Sequence, residues 1–157
     1  GQPMRNAFVE IWQCDARGNY IHSGGRTPTI DNNFQGYGRF LTDATGHYHF
    51  RTIKPVPYAN RCPHIHLAVS RNGKRILTTQ CSIRGHELNK KDGVLSRIKD
   101  PAVLDTVLTD FKLLLNSKLG ETSAKFDVIL GRTAVEDESG SLGGVGKRVI
   151  ASGRPGA

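Results

Sequence analysis

Residues 64–70 and 75–83 are two runs of alternating apolar character joined by Arg71-Asn72-Gly73-Lys74. Asn-Gly is the strongest short signal for a β-hairpin, because both residues tolerate the positive φ that a tight two-residue turn demands. A chain with this pair at its centre must build outward from antiparallel strands. Residues 7–13 add a third strand, with Ala7, Val9 and Ile11 alternating against Phe8, Glu10 and Trp12 before Asp15-Ala16-Arg17-Gly18 ends it. Residues 40–43 and 47–53 flank Ala44-Thr45-Gly46 as a second hairpin, and residues 126–130 read as a last strand, with loop from Gly131 onward. One helix is predicted over residues 100–118. Asp100 is its N-cap and Pro101 its first residue, and Leu104, Val107, Leu108, Phe111, Leu114 and Leu115 recur at helical spacing. Residues 19–37 form a long polar loop with Gly24-Gly25 and Pro28, ordered by packing, because structureless loops of that length are rare inside a domain. Residues 84–99 are polar and take no clear pattern. Short strands between turn signals predict a mainly β chain, a β-sandwich with one appended helix. Its span is 1–140, and 141–157 is a glycine-rich tail, flexible or held by a partner.

At 157 residues the chain can bury a core of its own. No apolar run approaches the roughly 18–20 residues of a membrane span. The net charge of +8 raises the question of nucleic acid. The basic residues are scattered, however, and no aromatic-rich strand interleaves them, so neither nucleic acid nor membrane is an expected partner. A basic surface draws anionic small molecules instead. Cys14, Cys62 and Cys81 allow at most one internal disulfide, which argues against a disulfide framework without fixing the compartment. The chain starts at Gly1 rather than Met, so a processed or excised form stays open, and with it export; the reading leans to the cytoplasm.

Candidate chemistry concentrates in residues 54–66, which hold Tyr58, Arg61, His64 and His66 among rigid prolines. A strand turns alternate side chains to one face, so His64 and His66 point the same way, roughly 6.5–7 Å apart along the backbone. Two imidazoles at that spacing can converge on one metal ion. His47 and His49 form a second pair of the same spacing, where Tyr48 and Phe50 alternate with the histidines as on a wet strand face. Spacing alone does not separate ligands from solvated strand residues. Cys62 adds a rival, a Cys/His zinc site, although three successive alternate positions on one strand surround a tetrahedral ion poorly. A non-catalytic β-sandwich binding module shares the strand pattern.

Four blocks in order set the first pair apart: NAFVEIWQCDARGNY at 6–20, DNNFQGYGRFLTDATGHYHFRTIKPVPY at 31–58, NRCPHIHLAV at 60–69 and LTTQ at 77–80. Together they resemble the intradiol ring-cleavage dioxygenases, the protocatechuate 3,4-dioxygenase and catechol dioxygenase group. The resemblance covers roughly the first ninety residues. It implies a sandwich of mixed sheets and one ferric iron per chain, with Tyr20, Tyr58, His64 and His66 as its ligands. It also implies a catechol-type diol and O2 as substrates, a cis,cis-muconate as product, and a homo-oligomer or a second subunit as possible company.

The ligand set agrees with the metal. Ferric iron is hard, and phenolate oxygen with imidazole nitrogen suits it better than sulfur does. By resemblance, Tyr20 is the permanent tyrosinate, and Tyr58 is the ligand that leaves and accepts a substrate proton. Arg61 presents a fixed positive charge to the ring, and Gln80 hydrogen-bonds near the substrate or Arg61. The chain departs from the family in the five residues between Tyr58 and His64, a short loop, and in Cys81-Ser82-Ile83 after Gln80, where an aromatic pair is common. It also lacks the helical N-terminal segment of the catechol dioxygenases. These parts shape the pocket, so the identity of the diol stays open.

Overall fold

The computed structural model of the chain describes residues 1–21 and 30–143. Residues 22–29 of the polar loop, with Gly24-Gly25 and Pro28, and residues 144–157 of the glycine-rich tail lie outside the described residues.

The Asn72-Gly73 hairpin forms where its sequence puts it. Strands β3 (His64–Arg71) and β4 (Lys74–Ile83) pair antiparallel across it. Asn72 and Gly73 both adopt positive φ, 51° and 73°, as the tight turn requires. β1 (Phe8–Trp12) pairs with the far side of β3, and β2 (Tyr37–Leu41) pairs with β1. A short parallel strand, β5 (Leu108–Thr109), closes the other edge against β4, giving a five-stranded mixed sheet in the order β2-β1-β3-β4-β5.

Alternation along these strands sorts the two faces. Val9, Ile11, Ile65, Leu67, Val69 and Leu77 form one buried apolar layer, covered by Phe40, Tyr48, Phe50, Phe126 and Val128. Each fully buried aliphatic side chain in such a layer is worth about 1.5–3 kcal/mol relative to exposure. On β3 the opposite face is buried as well, so the strand reads as buried from His64 through Val69. Trp12, His66 and Gln80 stand side by side on that second face, because Trp12 pairs with His66 and His66 with Gln80. A smaller core of Cys62, Leu95, Val107, Ala134 and Leu142 packs beside it.

Four expected elements differ. The helix over 100–118 is only α1 (Pro101–Asp105), capped by the Asp100 carboxylate on the Ala102 N–H. The chain then leaves the helix to satisfy β4: the Val107 carbonyl accepts from the Ser82 N–H at 2.8 Å and the Thr109 carbonyl from the Arg84 N–H at 2.9 Å. Strand pairing overrode the helical spacing, and Leu115, which completed that pattern, is 98% exposed. Phe111–Leu113 becomes β6, paired with β7 (Thr122–Ala124). The turn at Ala44-Thr45-Gly46 forms, held by the Asp43 carboxylate on the Thr45 and His47 N–H groups. Residues 47–53 beyond it join no ladder, and Tyr48 and Phe50 pack inward while His47 and His49 stay exposed. Residues 126–130 likewise pack without pairing, with the Phe126 carbonyl accepting from the Tyr48 hydroxyl at 2.7 Å. The segment after Gly131 is not wholly loop, since β8 (Val135–Glu136) and β9 (Leu142–Gly143) form a small antiparallel pair. Two single 3-10 turns lie at Glu87–Lys90 and Leu95–Arg97. No helix among the described residues is long and apolar enough to cross a membrane.

Candidate metal centre

His64 and His66 lie one turn of the pleat apart on the buried second face of β3, with their Nε2 atoms 3.2 Å from each other. Their outer nitrogens explain why. His64 Nδ1 lies 2.7 Å from the Cys62 carbonyl, and His66 Nδ1 lies 3.4 Å from Glu136 Oε2. A carbonyl and an ionised carboxylate only accept, so each Nδ1 carries the hydrogen, and in the uncharged ring each Nε2 then presents a lone pair inward. Trp12 stacks on His66 with ring centroids 5.0 Å apart and planes 1° apart, which fixes the plane of that imidazole. Burial, then the neighbouring His66 and Arg61, push the His64 imidazole down to about 3, so it stays an uncharged nitrogen donor.

Two phenols complete the cluster. Tyr58 Oη is 3.3 Å from His64 Nε2, and its ring centroid is 5.1 Å from that of Tyr20, which in turn lies 6.1 Å from His66. Tyr58 sits at the head of a tight turn, where the Arg61 N–H donates to the Tyr58 carbonyl at 2.9 Å and Ala59 takes a positive φ of 47°. Tyr20 is placed by the loop after β1. The buried Asp15 carboxylate accepts from the N–H groups of Arg17, Asn19 and Asp31, each at 2.9 Å, and so gathers both ends of that loop. Gly18, at φ 82°, brings the loop against Tyr58, where an added Cβ would meet the Tyr58 Cβ at 3.1 Å. Burial, then the Tyr58 hydroxyl, raise the Tyr20 phenol well above its ordinary value. A phenol in this position ionises only beside a strong positive charge.

Arg61 and Gln80 complete the group of residues singled out in the sequence. Arg61 Nη2 donates to Gln80 Oε1 at 2.5 Å, and Arg61 Nε donates to Asp92 Oδ2 at 3.0 Å. All six candidate residues, Tyr20, Tyr58, Arg61, His64, His66 and Gln80, thus fall in one contiguous cluster. Three more were not singled out. The sequence marks Trp12 only as a strand residue, and its place opposite His66 follows once β1 is paired with β3. Asp92 and Glu136 carry no motif, because a lone carboxylate in a polar stretch gives no signal until the chain is folded. Cys62 turns away from the cluster, burying its thiol beside Ser82 and the smaller core. Burial, then Asp92, push that thiol up to about 12, which disfavours a thiolate ligand. No three His, Cys, Asp or Glu side chains gather as a metal site among the described residues. An ion held by the two imidazoles would find the Tyr58 and Tyr20 phenols beside it as oxygen donors. Two neutral nitrogens and two phenol oxygens fit a hard trivalent cation such as ferric iron.

A sequence model of a dioxygenase family matches residues 1–131. The protocatechuate 3,4-dioxygenase beta chain of Burkholderia cepacia is 36% identical over 149 residues, covering 88% of this chain and 63% of its own. Catechol 1,2-dioxygenase 1 of Acinetobacter lwoffii is 34% identical over 106 residues, 56% of this chain and 33% of its own. The chain therefore spans less than two thirds of the length of either. Among solved structures, the dioxygenase domain of a carbohydrate-binding fusion from Streptomyces sp. SirexAA-E superposes with a TM-score of 0.61 at 28% identity. That match covers 81% of this chain and 69% of that one.

Proposed function

The chain belongs to the intradiol ring-cleavage dioxygenase family, and we propose that it opens catechol-type rings between the two hydroxylated carbons with O2. The product is a cis,cis-muconate, and the diol is catechol or protocatechuate. The supporting observation is the pair of Nε2 atoms 3.2 Å apart with the phenols of Tyr58 and Tyr20 beside them. In this reading Tyr20, Tyr58, His64 and His66 hold one ferric iron per chain.

Bound there, ferric iron would supply the Lewis acidity that favours the deprotonated diol, whose ring is then electron-rich. The remaining work falls to the chain. His64 and His66 are locked by backbone, carboxylate and indole contacts, so they form the fixed side of the site. Tyr58 stands on a five-residue connection to His64 and is half-buried, which suits it to accept a phenolic proton of the diol at Oη and to yield its place. Tyr20, with its hydroxyl buried, stays. Arg61, tied by Asp92 and Gln80, holds a guanidinium ready for the negative charge that builds on the ring. Gln80 orients that guanidinium rather than reacting.

Protein produced with ample iron should carry about one iron per chain and be reddish brown from tyrosinate-to-iron charge transfer. Given catechol or protocatechuate, it should consume one O2 per ring and release a dicarboxylic muconate containing both oxygen atoms. A colourless protein with stoichiometric zinc would overturn the ligand set. A yellow semialdehyde product would overturn the position of cleavage. Absence of O2 uptake by iron-loaded chain across both diols would count against activity of the chain alone and bring forward a second subunit or a binding module.

A further inference from the structure

Glu136 lies on β8, seventy residues from His66 in sequence, yet its carboxylate reaches the cluster. The backbone just before it is pinned from two sides. The Ala134 carbonyl accepts from the Thr79 hydroxyl at 2.7 Å, and the Ala134 N–H donates to the Thr106 hydroxyl at 3.0 Å. On the other side, Glu136 pairs with Leu142, which is anchored in the smaller core. A side chain issuing from so fixed a backbone has little choice of direction. Its Oε2 accepts from His66 Nδ1 at 3.4 Å and from Gln80 Nε2 at 3.2 Å.

We propose that Glu136 is a positioning residue that sets both a metal ligand and the substrate-facing cation. The proposal rests on reading His66 as an iron ligand. Toward His66, the carboxylate holds the proton on Nδ1 and keeps the Nε2 lone pair aimed at the partner imidazole. A carboxylate behind a ligating histidine also makes the imidazole a stronger donor. Toward Gln80, it decides which way the amide faces. With Nε2 committed to Glu136, only Oε1 is left for Arg61, and Arg61 Nη2 donates to it at 2.5 Å. The reverse amide would set a donor against a donor. Hydrogen bonds therefore run in one sense from each end, His66 and Gln80 into Glu136, Arg61 into Gln80 and Asp92. Both nitrogens that face Oε2, His66 Nδ1 and Gln80 Nε2, are placed as donors, so the geometry uses Glu136 as an acceptor.

The test compares wild type with Glu136→Ala and the isosteric Glu136→Gln. Histidine side-chain 15N spectra of the metal-free proteins report the tautomer of His66 directly. Wild type should show hydrogen on Nδ1, Glu136→Ala a mixture of tautomers, and Glu136→Gln, which keeps a carbonyl acceptor, a partial rescue. Iron affinity from chelator competition should fall about 10–100-fold in Glu136→Ala, and the charge-transfer band should shift. Thermal melting of the metal-free forms separates this from a general loss of fold. A single Nδ1–H tautomer at His66 in Glu136→Ala would overturn the proposal. So would an affinity loss matched by lost stability of the metal-free protein, and if Glu136→Ala does not fold, Glu136→Gln with wild-type iron affinity and an unshifted band would do the same. Wild type that binds no iron would instead refute the proposed function, since the tautomer is read without metal.

Discussion

Replacing Asp92 with alanine removes the most heavily used carboxylate near the site. Asp92 is 1% exposed. Its Oδ2 accepts from Arg61 Nε at 3.0 Å and the Cys62 N–H at 2.7 Å, while its Oδ1 accepts from the N–H groups of Val94 at 2.8 Å and Leu95 at 2.9 Å. Breaking a buried ion pair by deleting one partner costs about 3–5 kcal/mol, and orphaning a buried N–H such as that of Cys62 costs about 1–3 kcal/mol. These overlap, so Asp92→Ala should lose about 3–5 kcal/mol. Asp92→Asn keeps one acceptor oxygen and should lose roughly half as much. Burial alone would raise this carboxyl, but the Leu95, Cys62 and Val94 N–H groups and the Arg61 charge override it and hold it at about 2, against an ordinary 3.8. Because the folded value is depressed, the unfolded chain binds the proton first as pH falls. The contribution is therefore complete above the unfolded value near 3.8 and disappears as pH falls through about 2. A displacement of that size corresponds to about 2 kcal/mol at about 1.4 kcal/mol per pH unit. Urea unfolding of the metal-free protein at pH 7 and in steps from pH 5 to 2 measures both effects. Asp92→Ala within 1 kcal/mol of wild type at pH 7, or the same acid loss in wild type and Asp92→Ala, would refute the reasoning.

Arg61→Ala should keep iron and colour but slow turnover by about 10²-fold or more, the scale for losing one preorganised charge-stabilising group; single-turnover absorbance reads it, and unchanged turnover would make Arg61 a structural partner of Asp92 only. Gly18→Ala combines a left-handed backbone, φ 82°, with a Cβ 3.1 Å from that of Tyr58. It should cost about 1–2 kcal/mol and shift the charge-transfer band, because the turn carrying Tyr58 must move; an unperturbed spectrum would show that the loop gives way instead. Cys14, Cys62 and Cys81 are free and buried, and burial raises all three thiols. Ellman's reagent should therefore find no reactive thiol in the native protein and three after unfolding, and a fast native reaction would show a more open core.

Local pattern decided what could be read in advance. The Asn72-Gly73 hairpin and the strand ending at Trp12 depend on near neighbours, and each sits where its alternation puts it. The helix over 100–118 failed because its leucine spacing met a stronger demand. The β4 edge had backbone groups to satisfy, and Val107 and Thr109 carry β-branched side chains that suit a strand. Residues 126–130 had strand character and found no partner. Such outcomes turn on which backbone edges remain open after the hairpin forms, and composition does not encode that.

The cluster itself divides the same way. Tyr58, Arg61, His64 and His66 lie within nine residues and are tied by one turn and one strand, so spacing carried most of their geometry. Gln80 follows from register, as the residue across from His66 once the Asn72-Gly73 turn fixes the pairing. Asp92 and Glu136 could not be seen, because each comes from a segment with no periodicity and acquires its role only through long-range contacts. Yet these two carboxylates close the hydrogen-bonded chain at both ends. The residues with recognisable motifs form the cluster proposed to hold iron and substrate, whereas those that fix the motif residues come from sequence that reads as loop. Only a buried donor requires its acceptor, and the requirement can be met from anywhere in the chain. A search for further positioning residues should therefore begin at the outer nitrogens of His64 and His66 and work outward, not along the sequence.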